Sequence, residues 1–227
     1  RWLVGMVACA IDDEAQNHQL MLLHGAQGKG KSTFVRHLLP PELKDYYRNG
    51  MISPDNKDHL LQMSSCLLIN LDEFDTLSPA RMQELKSLIT QDVMNERKVY
   101  DIQNYTFIRR ASFIASTNNP HCLPDIGENR RILFNTLLEI DYHTPVNHQG
   151  IYAQAYALYR QGFQYWYENQ EITFLNNRNE AFRQKDPVEE NLFFYFRAAR
   201  PNDIQAKWYP ASQLLSILSM NGRTQAN

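Results

Sequence analysis

Residues 25–32 form a glycine-rich segment whose composition suits phosphate binding. The segment has the sequence GAQGKGKS and fits the pattern G-x-x-x-x-G-K-[ST], and the apolar run at residues 20–24 before it predicts a strand. Glycines allow backbone N–H groups to converge on a phosphate, and the positive end of a following helix strengthens the attraction. The sequence therefore predicts a phosphate-binding loop between a strand and a helix.

This loop predicts ATP as the ligand and Mg²⁺ as its cofactor. In the pattern, the lysine (Lys31) reaches the β- and γ-phosphates, and the hydroxyl that follows it (Ser32) binds the metal ion. A chance match in a glycine-bearing turn is the alternative, and the predicted strand and helix on either side disfavour it. The residues expected to contact the nucleotide are Gly25, Gln27, Gly28, Gly30, Lys31, Ser32 and Thr33.

Two adjacent carboxylates end a second apolar run. Residues 66–71 are mostly apolar and are followed by Asp72 and Glu73, as is typical of a parallel strand whose carboxyl end opens onto a ligand. We expect Asp72 to hold Mg²⁺ and Glu73 to polarise the water that attacks the γ-phosphate. A strand end that faces solvent is the alternative, but the preceding phosphate-binding loop favours a Walker B motif.

Polar residues also follow a third apolar run, at residues 111–115. Asn118 is one of the polar residues after this run, and we expect its amide to orient water or to sense the γ-phosphate. An Asn-Asn-Pro turn is the alternative. Farther along, Arg130 and Arg131 follow a glycine turn and precede a short apolar run. One of the two arginines is expected to stabilise charge on the transferring γ-phosphoryl group, and the sequence does not decide which.

The order of these motifs resembles the virulence-associated protein E family. The similarity covers most of the chain, including the loop with Gln27-Gly28, the acidic strand end, Ser116-Thr117-Asn118 and residues 127–131. Members of this family are helicase-like ATPases of helicase superfamily three, often joined to primase domains in phages and mobile elements.

The resemblance implies a DNA helicase or translocase domain that hydrolyses ATP to move on single-stranded DNA. It also implies a homo-oligomeric ring, for which a hexamer is one candidate, and a primase domain or partner. In such rings ATP lies between subunits, so Arg130 or Arg131 would act on the nucleotide of the neighbour.

The interval between the second and third motifs holds the predicted DNA contacts. Basic pairs at residues 97–98 and 109–110 flank the apolar and aromatic residues of 99–108, which predict a hairpin that turns near residues 103–104. Basic side chains and a stacking tyrosine would bind single-stranded DNA with little sequence preference; an ordinary solvated hairpin is the alternative. With the family resemblance, the candidates are Lys86, Arg97, Lys98, Tyr100 and Arg109.

Alternating strands and helices predict a three-layer α/β fold with a mostly parallel sheet, of the P-loop NTPase type. The resemblance adds the strand order of AAA+ relatives. We expect an ATPase core at residues 1–140, a helical extension at 141–200 and, at 201–227, the start of a truncated domain, for which a winged-helix domain is one candidate.

Composition limits the class of protein. The 227 residues are 43% hydrophobic and carry a net charge of −2, which suffices for a packed core and argues against a uniformly basic surface. The longest apolar stretch, residues 2–11, is about half a membrane span, and no secretory signal is recognisable. We expect a soluble cytoplasmic protein with no membrane partner.

Two other classes of function fit the same motifs. A small-molecule kinase also uses a phosphate-binding loop, but it has less use for an acidic strand end followed by a sensor asparagine. A nucleotide-gated module would hold DNA or a protein, bind ATP and hydrolyse it poorly. Measured turnover, with and without DNA, separates these hypotheses.

Overall fold

The computed structural model describes most of the chain, in eight stretches. These are residues 1–53, 56–72, 74–97, 104–123, 129–184, 187–200, 202–204 and 206–224. Three of the predicted site residues, Glu73, Lys98 and Tyr100, lie outside the described residues. The chain divides into two compact units, residues 1–183 and 184–227.

A five-stranded parallel sheet forms the centre of the first unit. The strands are β1 (Leu20–His24), β2 (Tyr47–Asn49), β3 (Leu68–Leu71), β4 (Val93–Arg97), β5 (Asn104–Ile108), β6 (Ser112–Thr117) and β7 (Ile132–Thr136). The parallel sheet has the order β2-β3-β6-β1-β7, and β4 and β5 form a separate antiparallel pair. Leu20 at the start of β1 pairs with Phe113 of β6 on one side and with Ile132 of β7 on the other.

Helices connect and follow the strands. The α-helices are α1 (Trp2–Ile11), α2 (Lys31–Arg36), α3 (Lys57–Ser65), α4 (Pro79–Thr90), α5 (His148–Arg160), α6 (Asn169–Glu180), α7 (Pro187–Tyr195) and α8 (Ala211–Thr224). Short 3₁₀ helices lie at Pro41–Tyr46, Phe74–Thr76 and Asn129–Arg131. Among the described residues, none of the helices combines the length and apolar character that a bilayer crossing requires.

Strands β1, β3 and β6 of the sheet are mostly buried, whereas the edge strand β2 is largely exposed. On one face, Leu20 and Leu22 of β1 belong to a cluster with residues of α3 and α4, such as Met63 and Leu85. On the other face, Leu23 belongs to a cluster that includes residues of α1, α2 and α6. Alternate strand residues point to opposite faces, so two helical layers enclose the sheet. The predicted mostly parallel α/β sheet is confirmed.

Helices α5 and α6 belong to the same unit as the sheet. Helices α1 and α5 share an apolar cluster that includes Val4, Ala8 and Ala155. In α6, the buried amide of Asn179 donates hydrogen bonds to the carbonyl oxygens of Asn129 (2.8 Å) and Ile132 (2.9 Å). These long-range contacts join the helical segment to the sheet in a compact unit that ends at residue 183.

The second unit consists of α7, α8 and the segment between them. Phe196 and Tyr209 lie in that segment, with ring centroids 5.9 Å apart in an edge-to-face arrangement. The predicted division at residue 200 falls inside this unit.

Arg109 and Lys86 are interior residues. The Arg109 side chain is 1% exposed, and its guanidinium donates to the carbonyl oxygens of Gln91 (2.8 Å) and Ala111 (2.7 Å). It also lies 3.6 Å from a carboxylate oxygen of Asp92. Lys86 is 4% exposed on α4. This burial favours a structural role for both residues over the predicted DNA contacts.

We expect Arg109→Met to lower the free energy of unfolding by about 3 kcal/mol, because it leaves buried carbonyl groups without a donor. The matched control is Arg81→Met on the surface of α4, where Arg81 forms an exposed ion pair with Glu84 at 3.1 Å. That change is expected to cost less than about 0.5 kcal/mol. Urea unfolding followed by circular dichroism measures both, and equal effects would contradict a structural role for Arg109.

Candidate functional site

Three of the predicted motifs meet at one edge of the sheet. The loop at residues 25–32 follows β1, Asp72 follows β3, and Asn118 follows β6. Because these strands are parallel neighbours, their carboxyl ends lie side by side: His24 pairs with Thr117, and Leu71 pairs with Ala115. Ligands of open parallel sheets bind in this position.

The glycines of the loop have conformations that other residues rarely adopt. Gly28 and Gly30 have φ angles of +79° and +80°, and Gly30 lies immediately before the first residue of α2. Gly25 donates its N–H to the carbonyl oxygen of Thr117 at 3.2 Å, which fixes the start of the loop against β6. The two hydroxyl residues that follow Lys31, Ser32 and Thr33, are exposed in the first turn of α2. This geometry leaves the loop open to a ligand.

Lys31 is the most enclosed polar residue of the loop. It is 8% exposed, and its Nζ donates to the carbonyl oxygens of Gly25 (2.6 Å) and Ala26 (2.9 Å) and to Oδ1 of Asn118 (2.7 Å). Burial lowers the pKa of the Lys31 ammonium, while the Asp75 carboxylate acts in the opposite direction. Lys31 and Asn118, predicted from separate motifs, are therefore in direct contact.

Asp72 is held by two asparagine amides. Oδ1 accepts a hydrogen bond from Nδ2 of Asn70 at 2.8 Å, and Oδ2 accepts one from Nδ2 of Asn49. Asn70 is 1% exposed and also donates to Oδ1 of Asn49 at 2.7 Å. This network fixes the orientation of the carboxylate at the end of β3.

The sequence interpretation missed both asparagines. Asn70 carries a detectable signal, because it is a polar residue in the middle of an otherwise apolar strand. Asn49 carries none, because its contact with Asp72 depends on the pairing of β2 with β3, in which Asn49 lies opposite Asn70.

A cavity of about 380 Å³ opens beside the loop. Its lining comprises residues 27–33 of the loop and of α2, Ser116 near the end of β6, Asn118 directly after β6, and Tyr142. Its volume lies within the range of small-molecule sites, about 300–1,000 Å³. Tyr142 was not among the predicted residues, because nothing in the local sequence indicates that the segment after β7 returns to the loop.

Arg130 and Arg131 lie at the other edge of the sheet. They precede Ile132, which pairs with Leu20 at the beginning of β1, whereas the loop follows the end of β1. The five residues of β1 separate the two edges by about 16 Å. Both arginines line a cavity of about 520 Å³ at the amino-terminal edge, together with His18 and Trp166. The structure does not bring them to the loop of their own chain.

Possible magnesium ligands lie at the carboxyl edge. The described residues contain no group of three or more His, Cys, Asp or Glu that could hold a metal ion. Mg²⁺ needs fewer protein ligands, because it is usually bound by one or two carboxylate or hydroxyl oxygens together with waters and substrate phosphates. The exposed hydroxyl of Ser32 and the oriented carboxylate of Asp72 fit this requirement.

The predicted hairpin is present with a different first strand. Pairing runs from Val93 opposite Ile108 to Arg97 opposite Asn104, so the first strand precedes residue 99. Residues 98–103 lie outside the described part of the chain. The hairpin is closed at its base by a hydrogen bond from the N–H of Arg109 to the carbonyl oxygen of Asp92 at 2.9 Å, a constraint that strand propensity does not reveal.

Comparison with solved structures finds similarity to the C-terminal region of NrS-1. An A-form apo structure of its residues 305–718 gives a TM-score of 0.47 at 15% identity, covering 82% of this chain and 46% of that one. An apo structure of the same region gives 0.48 at 14% identity, with 82% and 48% coverage. Another A-form apo structure gives 0.41 at 19% identity, with 80% and 38% coverage. The chain thus spans at most about half the length of these structures.

Comparison with known sequences gives one clear assignment. No curated protein matches the chain. The virulence-associated protein E-like domain, in contrast, matches residues 1–184. Since this match covers most of the 227 residues and includes all three motifs at the carboxyl edge of the sheet, the chain belongs to the virulence-associated protein E-like domain family.

Proposed function

We propose that this chain is the ATP-hydrolysing domain of a replication-associated protein that moves on single-stranded DNA. The observation that carries the proposal is the contact of 2.7 Å between Nζ of Lys31 and Oδ1 of Asn118. It joins a loop with the phosphate-binding pattern to a polar strand end, next to the strand that carries Asp72. Triphosphate hydrolysis needs a cation, a polar sensor and a metal-binding carboxylate at one place.

Each residue at this edge has a proposed part in the reaction. The loop would bind the phosphates, with Lys31 exchanging one or more of its three oxygen partners for phosphate oxygens. Asn118, already hydrogen-bonded to Lys31, would then orient the γ-phosphate or the attacking water. Glu73, by its place in the sequence next to Asp72, is the proposed residue that polarises this water.

Mg²⁺ is the proposed metal ion, and Ser32 and Asp72 are the residues that would hold it. When bound, the ion neutralises charge on the β- and γ-phosphates. Because both oxygens of Asp72 accept hydrogen bonds from asparagine amides, its carboxylate is positioned before any metal binds. Such support of a metal ligand is typical of metal sites in proteins.

The positions of the arginines favour an oligomeric enzyme. Arg130 and Arg131 precede β7 at the edge opposite the loop, and Asn179 anchors the 3₁₀ helix that carries them. They cannot contact a nucleotide bound to the loop of their own chain, because the length of β1 separates them from it. In a head-to-tail ring, the edge that carries the arginines would face the loop of the next subunit, which fits a charge-stabilising arginine supplied in trans.

We propose that DNA is contacted near the end of β4. With Arg109 and Lys86 assigned to the interior, the candidates that remain are Arg97, at the end of β4, and the neighbouring Lys98 and Tyr100. Charged and aromatic side chains of this kind bind single strands with little sequence preference. Membership of the family supports a replication-associated role for this binding.

We expect Lys31→Ala to reduce ATP hydrolysis by about a hundredfold or more, because the loop loses the charge that meets the phosphates. Lys44→Ala is the matched control, because Lys44 is exposed in the 3₁₀ helix at Pro41–Tyr46 and does not line the cavity beside the loop. It should retain activity within about twofold. Steady-state phosphate release measures both variants, and equal losses would contradict the specific role of Lys31.

The same assay with single-stranded DNA tests the motor function. Stimulation of hydrolysis by DNA, lost when salt is raised, supports a translocase, because phosphate contacts are sensitive to ionic strength. Tight ATP binding with negligible turnover, even with DNA, would instead favour a nucleotide-gated module. Transfer of phosphate to a metabolite would favour a kinase.

The trans arrangement predicts that two inactive variants restore each other. Lys31→Ala has intact arginines and a defective loop, whereas the double variant Arg130→Ala, Arg131→Ala has an intact loop and no arginine. Each variant alone should be inactive. A mixture should regain a measurable fraction of wild-type hydrolysis, at interfaces where the intact loop of one variant meets the intact arginines of the other. Native mass spectrometry confirms that mixed oligomers form; mixed oligomers without recovery would contradict the trans arrangement.

A further inference from the structure

The segment after β7 passes back over the phosphate-binding loop and α2. We call residues 137–148 the strap. At its start, Leu137 donates its N–H to the carbonyl oxygen of His24 at 2.8 Å. At its end, Nε2 of His148 lies 2.7 Å from the carbonyl oxygen of His37, just after α2. Beyond the strap, the Tyr152 hydroxyl donates to the carbonyl oxygen of Leu38 at 2.9 Å. The strap is thus fixed near both ends of the loop–helix segment.

The middle of the strap is a turn organised by Asp141. One carboxylate oxygen accepts hydrogen bonds from the N–H groups of His143 (3.1 Å) and Thr144 (3.0 Å), and the other accepts one from the Thr144 hydroxyl (2.6 Å). The rings of Tyr142 and His143 are tilted against each other, with centroids 4.2 Å apart. These contacts fix the backbone on either side of Tyr142.

Tyr142 lies directly against the last glycine of the loop. A Cβ atom placed on Gly30 would be 2.0 Å from Cδ1 of the Tyr142 ring and 2.3 Å from Cε1. The ring is only partly buried, and it lines the cavity that the loop and Asn118 also line. An aromatic face with remaining exposure therefore borders the proposed phosphate site.

The order of the strands determines which part of a nucleotide would meet this ring. On one side of β1 lie β6 and β3, which carry Asn118 and Asp72, the groups proposed for the γ-phosphate and the metal ion. On the other side lies β7, from which the strap returns. A triphosphate whose γ end points toward β6 and β3 directs its α-phosphate and nucleoside away from them, toward β7 and the strap.

We infer that Tyr142 contacts the nucleoside of the bound nucleotide and stacks against its base or ribose. This inference rests on the proposed function, since it takes the orientation of the triphosphate from the roles of Asn118 and Asp72. An aromatic face binds any base through its π surface, so the contact adds affinity with little selection among bases. In this arrangement the strap recognises the nucleoside, and the loop recognises the phosphates.

A pair of ligands with the same phosphates tests the inference. Isothermal titration calorimetry in the presence of Mg²⁺ measures binding of ATP and of inorganic tripolyphosphate to the wild type, Tyr142→Ala and Tyr142→Phe. We expect Tyr142→Ala to weaken ATP binding about tenfold and to change tripolyphosphate binding less than about twofold. Tyr142→Phe should bind both ligands as the wild type does, because it retains the ring.

The matched control is Tyr156→Ala, which removes an exposed tyrosine of α5. It should leave the affinity for both ligands unchanged, and thermal unfolding checks that each variant is folded. If Tyr142→Ala weakens or strengthens both ligands equally, the ring acts on the phosphate site and the inference is wrong. If the wild type binds tripolyphosphate as tightly as ATP, the inference also fails while the phosphate site stands. If it binds neither, the proposed function itself fails.

Discussion

The buried ammonium of Lys31 is the interaction on which the candidate site depends. A charge removed from water must be compensated by oxygen atoms close to it. Two of its three oxygen partners are carbonyl groups of its own loop, and the third is the amide oxygen of Asn118 after β6. The parallel register of β1 and β6, in which His24 pairs with Thr117, sets the distance between these groups. A shift of the register would separate Asn118 from the ammonium and leave the charge less compensated.

The two edges of the sheet are built in different ways. At the carboxyl edge, polar groups of the loop, Ser116 and Asn118 line a cavity, and Asp72 follows the nearby strand β3. At the amino-terminal edge, long-range hydrogen bonds fix the chain, as Asn179 does for the 3₁₀ helix before β7 and Arg109 does for the base of the hairpin. Parallel sheets concentrate ligand sites at the carboxyl ends of their strands. The polar groups that form structural hydrogen bonds at the opposite edge are therefore not those that a ligand would need.

Local sequence patterns predicted the elements of the sheet better than the contacts between them. The glycine loop, the strand before Asp72 and the strand before Asn118 each carry their signal within about ten residues, since propensity and periodicity are local properties. The burial of Arg109 depends on carbonyl groups at positions 91 and 111 and on Asp92, and a basic residue beside an aromatic hairpin gives the same local pattern as a DNA contact. The extent of the first unit depends on long-range contacts as well, because α5 and α6 pack on elements far away in the sequence.

The strap shows how a long-range contact can be hidden from local patterns. Nothing near Tyr142 in the sequence indicates Gly30 as its neighbour, yet the glycine is doubly constrained, by its φ of +80° and by the ring that occupies the place of a Cβ atom. The phosphate-binding pattern requires glycine there for the first reason alone. In this chain the second reason ties the loop to the segment that leads into α5, and α5 packs on α1. The strap therefore connects the loop, through α5, to α1 and the helical layer that packs on the sheet.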